Sequence, residues 1–228
     1  MLVLGVSGSL RRGSHNRRLL GAAARELPPA VDFAEWTRLG SIPPYNEDAD
    51  DASLRGPVIE LRTALIRADA ILIATPEYNH SIPGQLKNAL DWASRPFPHN
   101  SLRAKPAAVI GASTSLFGAV WAQAEVRKVL AAAGARVIDD ELPVPSAQDA
   151  FGADGSLRDP EIRAALAGIV ERLIHAGDHV PAARPLTAIR QAVTKSATSS
   201  RPSSARRATA SVAGPRATTG RETTPSCW

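Results

Sequence analysis

Ala70-Ile71-Leu72-Ile73-Ala74 is a continuous apolar run, and a strand that reads this way must be buried on both faces. It leads into a polar stretch twice interrupted by proline, and then into a helix. Pro83 sits in that helix's first turn, where a missing N–H costs nothing. Leu86, Leu90 and Ala93 recur at helical spacing, and Lys87 with Asp91 makes an i,i+4 pair on another face. Strand patterns at 2–6, 31–35, 107–112 and 136–139 repeat the theme. Each is followed by a helical pattern: through Arg25, over 53–67, over 119–133 up to Gly134, and from Asp159 or Pro160 to about His175. Strict alternation of this kind gives an α/β domain whose strands are parallel and joined by right-handed crossovers. Five such strands imply the sheet order 2-1-3-4-5, with ligands bound across the carboxyl ends of strands one and three.

Three strand-end loops then meet at one edge. The first, Ser7-Gly8-Ser9-Leu10-Arg11-Arg12-Gly13-Ser14-His15-Asn16, carries the chemistry of an anion site. Gly8 and Gly13 let backbone N–H groups come close, Ser7, Ser9 and Ser14 offer hydroxyls, and Arg11 offers paired N–H groups. The helix N-terminus adds partial positive charge. A plain helix cap at Ser14 or Asn16 accounts for part of the same pattern. The loop lacks both G-K-[ST] and G-x-G-x-x-G. The second loop is Pro76-Glu77-Tyr78-Asn79-His80-Ser81, and the third is Ser113-Thr114-Ser115-Leu116-Phe117-Gly118.

Residue by residue, the second loop and its helix resemble the NADPH-dependent FMN reductase family, the flavodoxin-like quinone, azo-dye and chromate reductases. That family's pattern PEYN-x-S-x-PG-x-LKNA-x-DW is met by Pro76-Glu77-Tyr78-Asn79, Ser81, Pro83-Gly84, Leu86-Lys87-Asn88-Ala89 and Asp91-Trp92. Gly8-Ser9-Leu10-Arg11, Ser14 and Asn16 are similar to its phosphate loop, GSxRxxSxN. The resemblance covers roughly residues 1–175. It implies a flavodoxin-like three-layer sandwich that binds FMN: phosphate on Ser9, Arg11, Ser14 and Asn16, isoalloxazine against Pro76, Glu77, Tyr78, Asn79 and Ser81, and ring carbonyls near Ser113. Gly118-Ala119-Val120-Trp121 departs from the Gly-Gly and Ala-Arg usual at the next helix start, so any contact of that arginine is lost here. Trp121 reads instead as core or subunit interface. His80 falls on a variable position and lines the pocket at most, His15 reads as a solvent-side helix residue, and Tyr78 as a packing or dimer residue. Pro44-Tyr45-Asn46 resembles a stretch near the flavin edge.

The implied activity is ping-pong: NAD(P)H as hydride donor, then two-electron reduction of a quinone, azo compound, free flavin or oxidised metal anion. No catalytic side chain is expected beyond the bound flavin, since the cofactor carries the redox chemistry. The resemblance further implies a homodimer or tetramer. A flavodoxin-type one-electron carrier is the rival. Its strongly acidic surface does not match this chain, because eight of the 27 basic and two of the 22 acidic residues fall in 176–228. That leaves 19 and 20 in residues 1–175, close to neutral. The basicity therefore belongs to a tail of Ala, Ser, Thr, Arg and Pro, expected to be disordered for want of apolar content. Basicity confined to a tail argues against nucleic acid as the partner of the folded part. The acidic cluster Glu47-Asp48-Asp50-Asp51 reads as a solvated loop and helix cap rather than a metal site. The chain shows no apolar run of the ~20 residues a membrane span needs. With no signal-like segment and a single cysteine, Cys227, the expected compartment is the reducing cytoplasm.

Overall fold

A computed structural model of the chain describes residues 1–51, 54 and 56–178. The elements alternate as expected: β1 (Leu2–Ser7), α1 (His15–Arg25), β2 (Asp32–Trp36), α2 (Pro57–Arg67), β3 (Ala70–Thr75), α3 (Gly84–Ala93), β4 (Pro106–Ala112), α4 (Val120–Ala132), β5 (Arg136–Val137), β6 (Pro143–Val144) and α5 (Pro160–Asp178). All pairings are parallel and the order is β2-β1-β3-β4-β5, the flavodoxin-like arrangement. From residue 179 onward the basic tail lies outside the described residues, as does Ser53, the expected start of α2. That helix runs from Pro57, with Gly56 as its N-cap.

One strand corrects the five-strand expectation. β6 lies in the 143–157 stretch read as loop, and it pairs Pro143 with Gly111 and Val144 with Ala112 at the carboxyl end of β4. β5 occupies the other end, against Pro106 and Ala107. A two-residue strand has no periodicity to read, so tertiary bonds and not pattern create it.

The sheet is buried on both sides because successive residues of β3 face opposite layers. Ile71 and Ile73 join Leu61 and Leu65 of α2, Leu86 and Leu90 of α3, and Val126 and Leu130 of α4. Leu72 and Ala74 join Leu19 and Leu20 of α1 and Leu166, Ile169 and Leu173 of α5.

Much of the α3 motif serves this packing. Gln85 Nε2 donates to the carbonyls of Leu39 and Ile42 at 2.9 and 2.8 Å. Asn88 accepts from the Tyr45 N–H at 2.7 Å, and both its Nδ2 and the Trp92 indole donate to the Pro43 carbonyl. The segment before α2 is thereby clasped onto α3. Tyr45 packs edge-on against Trp92 at 4.9 Å, and its hydroxyl is buried with no hydrogen-bond partner among the described residues, so its ring belongs to this clasp. Asp50 also departs from the solvated-loop reading. Both of its oxygens accept from Arg62 at 2.7 Å, and the two side chains are only 14% and 12% exposed.

Candidate functional site

Ser14 begins α1 in extended conformation, and its Oγ accepts the Arg17 N–H at 3.1 Å, which settles the cap on Ser14. The next two N–H groups, those of His15 and Asn16, find no acceptor among the described residues. Ser7 Oγ accepts from the Ser9 N–H and Ser9 Oγ from the Arg11 N–H, at 3.3 and 3.4 Å. Each serine hydroxyl acts as acceptor there and keeps its own proton to donate. Arg11, Arg12 and Gly13 are exposed above this cradle, and a Cβ at Gly13 would meet nothing within 4 Å. At Gly8 the chain passes so close to α3 that a Cβ would lie 2.9 Å from the Leu86 side chain, and 3.5 Å from the Thr75 Cα at the end of β3.

His15 is half-buried, not solvent-side. Its Nδ1 is enclosed, with no hydrogen-bond partner among the described residues. Burial first, then the nearby Arg11 and Arg18 guanidinium groups, push its pKa below the ordinary value. Free N–H donors, two arginines and a helix N-terminus thus leave uncompensated positive potential at this loop.

Asn16 points the other way. Its Oδ1 accepts the Ala112 N–H and its Nδ2 donates to the Ala112 carbonyl, both at 2.9 Å and fully buried. Gly111 and Ser113 give their N–H groups to the β6 side. The Ala112 peptide therefore faces the opposite side, where the β3 ladder has ended at Thr75↔Gly111. The Asn16 amide takes the place of the missing strand.

In the second loop, Tyr78 and Ser81 exchange both backbone hydrogen bonds, at 3.2 and 3.0 Å, around Asn79 and His80. Both central residues have positive φ, 52° and 58°, as a type I′ turn requires. Asn tolerates this region and His less so, which gives Asn79 a backbone reason to be there. Pro76 is buried, Ser81 half-buried, and Tyr78 exposed at the rim. The Glu77 side chain is only 8% exposed and accepts the N–H groups of Trp121 and Ala122 at 3.0 and 3.2 Å.

The third loop turns at Ser113, whose Oγ meets the Ser115 N–H and Oγ at 3.1 Å each. Gly118 (φ 59°) passes so close to β6 that a Cβ would sit 2.6 Å from the Val144 nitrogen. Gln123, fully buried on α4, both donates to and accepts from the Leu142 backbone and so docks β6. Sequence reading passed over Gln123. Its signal was a polar side chain on the same helix face as the apolar Val126 and Leu130.

Ser9, Arg11, Ser14, Pro76, Glu77, Tyr78, Asn79, Ser81 and Ser113 therefore stand on three loops at one sheet edge, with Asn16 beneath them. Leu10, Tyr78, Leu116 and Phe117 from the same loops, and Trp121 from the first turn of α4, are all exposed and add an apolar rim. Trp121 stands there against His80 and Phe117, with ring centroids 4.5 and 4.9 Å away, rather than in the core.

The family model described as NADPH-dependent FMN reductase matches residues 1–149. An NAD(P)H-dependent FMN reductase of Pseudomonas aeruginosa is 44% identical over 162 residues, 71% of this chain and 86% of that protein. A 2-hydroxy-1,4-benzoquinone reductase of a Burkholderia species is 42% identical over 126 residues, 55% of this chain and 68% of its own length. Among solved structures, a flavoenzyme NAD(P)H:(acceptor) oxidoreductase from Paracoccus denitrificans superposes with a TM-score of 0.69 at 36% identity. That match covers 78% of this chain and 97% of the other.

Proposed function

Because the chain belongs to the NADPH-dependent FMN reductase family, we propose that it is an FMN-dependent NAD(P)H oxidoreductase that passes two electrons to a quinone. The observation that carries the cofactor is the first loop. Its donors without acceptors, free serine protons and arginine suit a phosphate dianion, and the space above Gly13 is open. In this reading the phosphate rests on Ser9, Arg11, Ser14 and the His15 and Asn16 N–H groups, while the Asn16 side chain holds the loop to β4. Pro76, Glu77, Tyr78, Asn79 and Ser81 would hold the ring system, and Ser113 would offer it a hydroxyl.

Bound FMN supplies the two-electron redox chemistry between nicotinamide and acceptor. The chain's own residues bind and orient. Within the 76–81 loop Tyr78 and Ser81 spend their N–H groups on each other, so the Glu77, Asn79 and His80 N–H groups, without acceptors among the described residues, would be the donors available to a bound flavin ring, where preorganised donors favour negative charge. Leu10, Phe117 and Trp121 wall the open side with apolar surface that excludes water from a planar acceptor. No side chain is assigned as obligatory acid or base. A ping-pong order follows if donor and acceptor use this one face in turn. Azo compounds, free flavin and oxidised metal anions are further acceptors on the same terms.

A second copy of the chain is the partner we assign to the apolar rim, giving a homodimer that completes the site. Among the described residues no helix is long and apolar enough to cross a membrane.

The test is an absorption spectrum of the purified protein, followed by anaerobic addition of NADPH and then a benzoquinone. Flavin bands that bleach with NADPH and return with quinone are expected, with parallel double-reciprocal lines in steady state. A protein that takes up no FMN refutes the reading. One that binds FMN but shows no NAD(P)H turnover is the one-electron carrier instead.

A further inference from the structure

Every long helix needs acceptors for its first N–H groups. α1 takes one from Ser14, and α5 takes its own from Asp159, whose Oδ1 accepts the Glu161 and Ile162 N–H groups at 2.8 and 3.3 Å. α4 has no such residue. Its N-cap is Ala119, left-handed at φ 66° and ψ 32°, with no side-chain oxygen, and its first turn carries no acidic group. The acceptor comes from another loop altogether: Glu77, whose nearly buried carboxylate takes the N–H groups of Trp121 and Ala122. The other carboxylate oxygen of Glu77 lies 3.7 Å from His80 Nδ1, and the His80 ring meets Trp121 edge-on at 4.5 Å. Glu77, His80 and Trp121 thus close a ring between the second loop and the first turn of α4. Inside it sits a turn whose two central residues hold a conformation that L-residues resist.

We propose that Glu77 is a positioning residue: by capping α4 from the 76–81 loop it fixes the shape of the ring-binding turn, and so FMN affinity depends on a helix that the turn itself must cap. The proposal rests on the FMN reading of this site. Trp121 puts an aromatic plane against His80 and closes the ring by packing.

The experiment titrates FMN into the apoprotein by flavin fluorescence quenching, well below each variant's melting temperature, and measures amide exchange at Trp121 and Ala122 without FMN. Glu77→Ala should raise the FMN Kd at least about tenfold and strip protection from both amides, as expected for two lost charge-assisted bonds. Glu77→Gln, which keeps an acceptor oxygen in place, should stay within about threefold. Asp159→Ala is the control. It removes a carboxylate cap of the same kind on α5, should lower the melting temperature, and should leave the Kd within about twofold.

An unchanged Kd in folded Glu77→Ala overturns the proposal, and so does an equal loss in Asp159→Ala. Should Glu77→Ala not fold, Glu77→Asp, one methylene too short to serve both N–H groups, carries the same expectation. Wild-type protein that takes up no FMN overturns the cofactor reading and this inference with it. Normal wild-type uptake with an indifferent Glu77 overturns the inference alone.

Discussion

Asn16 offers the sharpest separation of scaffold from ligand contact. Replacing it with alanine removes two buried hydrogen bonds and leaves the Ala112 N–H and carbonyl facing a void where β3 has ended. Each orphaned buried group costs about 1–3 kcal/mol, so the apoprotein should lose about 2–6 kcal/mol. At about 2–4 °C per kcal/mol for a chain of this size, its melting temperature should fall by about 4–24 °C. Asn16→Asp should do no better. One oxygen can still accept the Ala112 N–H, but the other then faces the Ala112 carbonyl, acceptor against acceptor. The assay is thermal unfolding of flavin-free protein followed by circular dichroism at neutral pH. A melting temperature within about 2 °C of wild type, with the whole loss appearing as weaker FMN binding, would refute the argument and make the side chain a cofactor ligand.

At the I′ turn, Asn79→Ala should cost about 1 kcal/mol because alanine resists positive φ, while Asn79→Gly should keep both stability and FMN affinity. Equal loss of FMN affinity in both variants would show that the side chain itself binds. Arg62→Ala should destabilise by about 3–5 kcal/mol in urea unfolding, since it strands the nearly buried Asp50 carboxylate; a loss under about 1 kcal/mol would contradict the burial. His15 sets a pH dependence. Its folded pKa lies below the ordinary 6.5, so the unfolded chain takes up the proton first as pH falls. Stability is therefore complete above 6.5 and declines below it toward the folded pKa. His15→Gln should flatten the apoprotein's melting profile across that window, and an unchanged slope would assign it to other groups.

The architecture was legible because it depends on patterns that local sequence carries. Both-face burial of 70–74 fixed a central parallel strand, and the helical periods around it set the layers. The first loop was legible as an anion cradle because serine, glycine and arginine before a helix have few other joint uses. What stayed hidden was mostly two-body and long-range. Asn16 looks the same in a sequence whether it faces a phosphate or an alanine peptide 96 positions away. Glu77 carries no mark that its carboxylate caps a helix starting beyond residue 119, and β6 depends on bonds from β4 and from Gln123 to the 142–144 backbone. The α3 motif shows the same limit from the other side: Gln85, Asn88 and Trp92 lie within a pattern that signals a flavin site, yet their side chains fasten the loop before α2.

Two of the groups that pin the site, the Asn16 amide on Ala112 and the Gln123 amide on Leu142, are neutral and buried, and the Glu77 carboxylate that caps α4 is nearly so. Counter-ions cannot screen the two amides, and no proton equilibrium near neutrality reaches them. Raising the ionic strength should therefore leave the pocket's shape alone while weakening whatever the exposed Arg11 attracts. A salt titration of activity would then report almost purely on how charged ligands arrive, which makes this protein a clean setting in which to separate electrostatic capture from the chemistry that follows.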